Sequence, residues 1–132
     1  HVIQRNNQYK FNKFYENYYS KFISEKYTNN LPNNLRMIHM NNPDSNNTIW
    51  IYKYNNKKYI PLLIYKNGSI NEIGYNVNNN SDIIYLSKIK RELGYNGHTS
   101  FYHPNEVFAC EVSDYIMNNN LPKFYKEFIT NI

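Results

Sequence analysis

Four side chains in the C-terminal third, His98, His103, Cys110 and Asp114, are the types that thiol chemistry uses: a nucleophile, a base and a group that orients the base. Cys110 and Asp114 stand four residues apart, one helical turn, and His103 stands seven positions before Cys110. A thiol attacks only as the thiolate, and a lone cysteine among apolar neighbours is usually buried and inert. The expectation is therefore a small, buried helix residue at position 110, with no catalytic residue assigned. Metal and nucleotide chemistry find less. The chain has no glycine-rich phosphate loop and no histidine pair flanking a glutamate on a helix, and its single cysteine rules out both an intramolecular disulfide and a cysteine-built zinc site. Asp44, within Asn42-Pro43-Asp44-Ser45-Asn46, lacks the charge density of a calcium loop and reads as a turn. No metal ligand and no cofactor is expected.

The run Tyr102-His103-Pro104-Asn105, followed by Cys110, resembles the signature of ubiquitin-conjugating enzymes, in which the Asn after His-Pro stabilises an oxyanion and a downstream Cys carries a thioester. The resemblance implies a helix-first fold with a four-stranded meander, Asn105 at the oxyanion and Cys110 as nucleophile. The spacing departs from that pattern. Cys110 follows Asn105 by only five residues, without the family's longer, Gly-containing link, and 22 residues follow it. An E2-like or thiol-dependent enzyme acting through Cys110 accordingly ranks third among the functional expectations.

Those residues need a scaffold, and the composition bounds it. Of 132 residues, 26 are Asn, 15 Tyr and 15 Ile, and Ala109 is the only alanine. Asn, Tyr, Ile, Lys and Phe have A/T-rich codons, so this bias is expected from an A/T-rich, malaria-parasite-like genome rather than from a function. Asn-rich tracts are commonly disordered, but 22 Phe and Tyr together with 15 Ile supply enough apolar area to offset backbone ordering entropy. The expectation is a single compact domain over residues 1–132, with one core. Because the chain opens on His1-Val2-Ile3 without an initiator Met, it reads as a fragment or processed part of a longer protein, and its compartment is open. The longest apolar run, Tyr59 to Tyr65, is too short to span a bilayer and contains Pro61, so no transmembrane segment is expected.

The net charge of +5 comes from 12 Lys and 3 Arg against 10 acids. The small basic groups Lys57-Lys58 and Lys88, Lys90 and Arg91 supply the alternative function, a nucleic-acid-binding surface. The helix-then-strands order is shared with double-stranded RNA-binding domains. Such domains carry a basic cluster at the start of the second helix, where this chain has Ser81-Asp82-Ile83-Ile84.

The periodicities predict an α+β fold: an N-terminal helix, a three- to four-stranded antiparallel meander, then two to three C-terminal helices. Phe11, Phe14, Tyr15, Tyr18, Phe22 and Ile23 recur at three- and four-residue steps and predict a helix over Gln8–Tyr27. Leu35–Met40 reads as a short strand and Asn41–Asn47 as a loop. Strands are expected over Thr48–Tyr54, Tyr59–Lys66 and Ile70–Val77, with Asn55-Asn56-Lys57-Lys58 as the first hairpin loop and Asn67-Gly68 as a tight second one. Pro61, lacking an N–H, belongs at an edge or a bulge. Ser81-Asp82 could cap a helix over Ile83–Leu93 ending at Gly94, Pro104 opens the next helix, and Pro122–Thr130 forms a last short one.

So many rings exceed what one small core consumes, and tyrosine and tryptophan suit binding interfaces. The first-ranked function is a non-catalytic protein-interaction or scaffold module whose partner is another protein. Its expected anchors are Trp50, Tyr52 and Tyr54 along one strand face, and Phe124, Tyr125 and Phe128 on the terminal helix.

Overall fold

A computed structural model describes residues 1–33, 48–79 and 81–132. Two N-terminal helices, α1 (Val2–Asn6) and α2 (Gln8–Tyr18), lead into strand β1 (Ile23–Lys26). Strands β2 (Trp50–Tyr54), β3 (Lys57–Lys66), β4 (Ser69–Asn76) and β5 (Ile83–Tyr85) follow, and then α3 (Leu86–Glu92), α4 (Pro104–Met117) and α5 (Lys123–Thr130). The five strands form one antiparallel sheet in the order β1-β2-β3-β4-β5. The α+β architecture is as expected, with one strand more than the upper limit of the expectation.

The extra strands come from two overextended helix assignments. Helix α2 stops at Tyr18 rather than Tyr27, and Ile23–Lys26 pairs antiparallel with Trp50–Tyr52. Phe22, in the turn before β1, and Ile23, which opens it, are both buried, so they continue the helical period although the helix has ended. Likewise Ile83–Tyr85 pairs with Ile73–Tyr75, and α3 begins only at Leu86. Consecutive β-branched residues favour the strand. Asp82, expected as a cap, instead accepts hydrogen bonds from Asn76 Nδ2 (2.8 Å), Tyr59 Oη (2.9 Å) and Lys57 Nζ (3.2 Å). The strand read at Leu35–Met40 and the loop at Asn41–Asn47, with Asp44, lie outside the described residues.

Asparagine takes over the work of glycine at the turns. Asn55 (φ 51°) and Asn56 (φ 61°) form a two-residue β2–β3 hairpin, since Tyr54 pairs directly with Lys57. Lys57 and Lys58 are therefore strand residues, not loop. Asn67 (φ 53°) and Gly68 (φ 77°) make the expected tight turn between Lys66 and Ser69. Both turns have the two positive φ angles that match strand twist. Helix α4 closes on Asn119 (φ 54°), with the Asn120 and Asn119 amides donating to the Tyr115 and Ile116 carbonyls. Gly94 (φ 80°) closes α3 in the same way.

Each sheet face carries its own core. On one, Trp50 and Tyr52 pack with Phe11, Phe14, Tyr15, Phe22, Leu86, Ile89, Phe101, Val107 and Phe108 from the helices and the α3–α4 loop. The rings meet edge to face, as in Phe11–Phe108 (5.0 Å between centroids) and Phe22–Tyr52 (5.0 Å). Full burial of one such ring stabilises by roughly 1.5–3 kcal/mol, with about 0.5–1.5 kcal/mol more for a well-oriented pair. On the other, Ile60, Leu62, Ile64, Ile73 and Tyr75 cluster with Leu31. Pro61 pairs with Gly74 on its β4 side, while the β2–β3 pairs run only from Tyr54↔Lys57 to Tyr52↔Tyr59, so its missing donor spares the ladder. No helix among the described residues is long and apolar enough to cross a membrane.

Candidate functional site

The expected chemistry around Cys110 can be followed atom by atom. His103 is the N-cap of α4: its Nδ1 accepts from the Asn105 backbone N–H (3.0 Å), which fixes the proton on Nε2, where it donates to the Thr48 carbonyl (2.9 Å). The ring is 6% exposed, and burial pushes its pKa down to about 4, against a smaller upward pull from the Thr48 bond. A neutral imidazole with both nitrogens engaged serves as a cap.

Asn105, 2% exposed, is held by the N-terminal helices. Tyr15 Oη donates to its Oδ1 (2.6 Å), and Gln4 Nε2 donates to its carbonyl (2.9 Å) and to Tyr15 Oη (3.1 Å). This node locks α1 and α2 onto the start of α4. Cys110 lies in the middle of α4 and is half-buried; burial pushes its thiol up, with smaller contributions from Glu106, Asp114 and Glu72, against a lowering contact at Ser100. His98 Nε2 reaches Asp114 Oδ2 (2.9 Å) on the surface. Three of these four residues thus serve two separate structures, His103 a helix cap and His98 with Asp114 a surface hydrogen bond; Cys110 belongs to neither, and Asn105 is bound by Tyr15 where the conjugating-enzyme pattern would aim it at an oxyanion.

The basic groups are partly spent on the fold. Lys57 pairs with Asp82 (3.2 Å) and Lys58 with Glu25, each across the sheet. Lys90 Nζ donates to the Gly97 (2.7 Å) and Thr99 (3.0 Å) carbonyls and tacks down the α3–α4 loop. Lys88 and Arg91 are exposed on α3.

Of the expected anchors, Trp50 (1% exposed) and Tyr52 (0%) are core residues. Their strand face is the one that the helices cover. Tyr54 is half-buried and donates to Glu92. On α5, Tyr125 is buried, and Phe124 and Phe128 are half-buried against Phe14, with centroids at 6.2 Å and 4.5 Å.

Among the described residues, helix α5 borders two concave surfaces. The first is an apolar groove of about 490 Å³ among α1, α4 and α5, walled by Ile3, Val112, Ile116, Met117, Ile129 and Ile132. Ile3 is 59% exposed, Ile116 56% and Met117 80%. The second, of about 420 Å³, lies where the end of α2, the α3–α4 loop, α4 and α5 meet. Its walls include Tyr18, Tyr95, Tyr115 and Phe124, and Glu111 and Asp114 stand in it one turn apart. The expected anchors Phe124 and Tyr125 line the second, and none of the expected anchors lines the first. The available signal for the first was Met117, which no single helical face can bury together with Val107 and Phe108.

Comparison with protein-family models, with curated proteins and with solved structures finds no match for this chain.

Proposed function

We propose that this chain is a non-catalytic protein-interaction module, and that it docks an aliphatic-rich segment of another protein in the groove among α1, α4 and α5. The observation that carries this reading is the contiguous exposure of Ile3, Ile116, Met117 and Ile129 (38–80%) around one concavity. Single exposed apolar residues are ordinary, whereas a joined patch of them at a groove is characteristic of an interface. A methionine at the lip suits such a surface, because its unbranched, polarisable side chain adapts to the segment that it covers.

The interior supports the same reading. The helices that form the groove are fixed from behind by the Gln4–Tyr15–Asn105 node and by the Phe11, Phe108 and Phe128 rings, so the docking surface is preorganised. The test is capture of partners from the source organism's lysate by wild type and by Ile116→Asp/Met117→Asp. Both side chains are exposed, so the variant should keep its fold and its unfolding midpoint. Loss of a saturable, stoichiometric partner in the variant is the expected result. Identical captured sets would refute the groove as the docking site.

A further inference from the structure

The second concavity has a chemistry of its own. The protein carries 15 Lys and Arg against 10 acids, yet the walls of this pocket contain neither Lys nor Arg and hold two carboxylates, Glu111 and Asp114. Aromatic rings supply much of the remaining wall. Tyr18 stacks on Phe124 (4.8 Å between centroids, 14° between planes), Phe124 contacts Tyr125 (4.4 Å), and Tyr115 contacts Tyr125 (5.8 Å). Tyr125 Oη and Tyr19 Oη are hydrogen-bonded (3.0 Å), which fixes the floor.

We propose that this tyrosine-walled pocket binds an alkylammonium head, and specifically the side chain of a lysine from a peptide segment. Ring faces attract cations, and carboxylates lining the same pocket accept the ammonium N–H groups. The two acids differ in what already holds them. Asp114 accepts from Asn96 Nδ2 (3.1 Å) and His98 Nε2 (2.9 Å), and these contacts keep its pKa low. Glu111 accepts from Tyr115 and is pushed up, first by burial and then by the charge of Asp114, against the smaller lowering effects of that hydrogen bond and of His98. Asp114 already has two side-chain donors and Glu111 has one, so Glu111 keeps more acceptor capacity and is the main anchor, while the rings enclose the methylenes. A volume of about 420 Å³ is ample for a lysine side chain. The inference stands apart from the aliphatic groove, which neither Glu111 nor Asp114 lines.

Titration of the isotope-labelled protein with N-acetyl-lysine methylamide, followed by NMR, tests it. Choline chloride and potassium chloride at equal ionic strength are the comparison arms. Saturable shifts confined to Tyr18, Tyr95, Tyr115 and Tyr125 are expected with the lysine derivative. Affinity should fall about tenfold in Glu111→Gln, the loss expected from one charge-assisted hydrogen bond. Tyr18→Leu keeps an apolar side chain at an exposed helix end but removes a ring face, and should also weaken binding. Equal shifts with potassium chloride would reduce the site to non-specific screening and overturn the proposal. Tighter binding of choline would overturn the lysine assignment, and undiminished affinity in a folded Glu111→Gln would overturn the anchor.

Discussion

His103 makes the fold sensitive to acid, and the size of the effect follows from its surroundings. In the unfolded chain its imidazole titrates at the usual 6.5, and in the folded protein burial lowers this to about 4. The sign follows from proton counting. Between these two values the unfolded chain holds a proton that the folded protein does not, so stability is complete above pH 6.5, falls as pH drops toward 4, and is level below that. At roughly 1.4 kcal/mol per pH unit, the gap is worth about 3 kcal/mol. That is a large share of the 5–15 kcal/mol typical of a domain. Other groups titrate nearby with their own signs. Glu72 and Glu111 are pushed up mainly by burial, so the folded state is relieved as they take protons, whereas Asp82 and Asp114 are held low and lose their contribution only at more acid pH. A variant isolates His103: His103→Asn retains an N-cap acceptor for the Asn105 amide but does not titrate. Urea unfolding followed by the fluorescence of Trp50, a core residue and the protein's one tryptophan, gives stability at each pH from 8 to 4. Wild type should lose about 3 kcal/mol more than the variant across pH 6.5 to 4. Parallel curves would refute the reasoning and place a charged or solvated imidazole at the head of α4.

The remaining predictions concern packing and reactivity. Tyr52 Oη is buried and has no hydrogen-bond partner among the described residues, so Tyr52→Phe should leave stability unchanged or raise it by about 1 kcal/mol in urea unfolding; a loss above about 1 kcal/mol would mean a partner exists. A Cβ at Gly74 would stand 3.2 Å from Tyr59 Cβ and from Ile84 Cγ1, so Gly74→Ala should cost about 1–3 kcal/mol, read as a lowered thermal midpoint. The Cys110 thiol is pushed up mainly by burial, and a disulfide reagent at neutral pH should modify it more slowly in the native protein than in the denatured chain; faster native reaction would restore a nucleophilic role.

The fold was legible wherever local chemistry decides it. Asn67-Gly68 needs positive φ, Gly94 ends a helix, and Pro104 starts one, and each stands where the sequence puts it. The failures came where burial imitates periodicity. Ile23, Ile83 and Ile84 continue helical patterns because they are apolar, but the sheet claims them through pairings with β2 and β4 that no local window contains. The candidate surfaces were less legible still. Trp50 and Tyr52 suggest an interface by residue type, and only the helices packed above them make them core. The groove draws Ile3, Ile116 and Ile129 from three distant segments, so its continuity exists only after folding.

The most direct test of the docking account places a photo-crosslinking benzophenone amino acid at position 117, the most exposed of the groove's large apolar residues, and a control at Tyr65, exposed on β3. Irradiation in the source organism's lysate should yield one dominant adduct from position 117 that is absent at position 65. Its yield should fall when Ile116→Asp is added. The same diffuse adducts from both positions, unaffected by Ile116→Asp, would contradict a groove built to receive a partner.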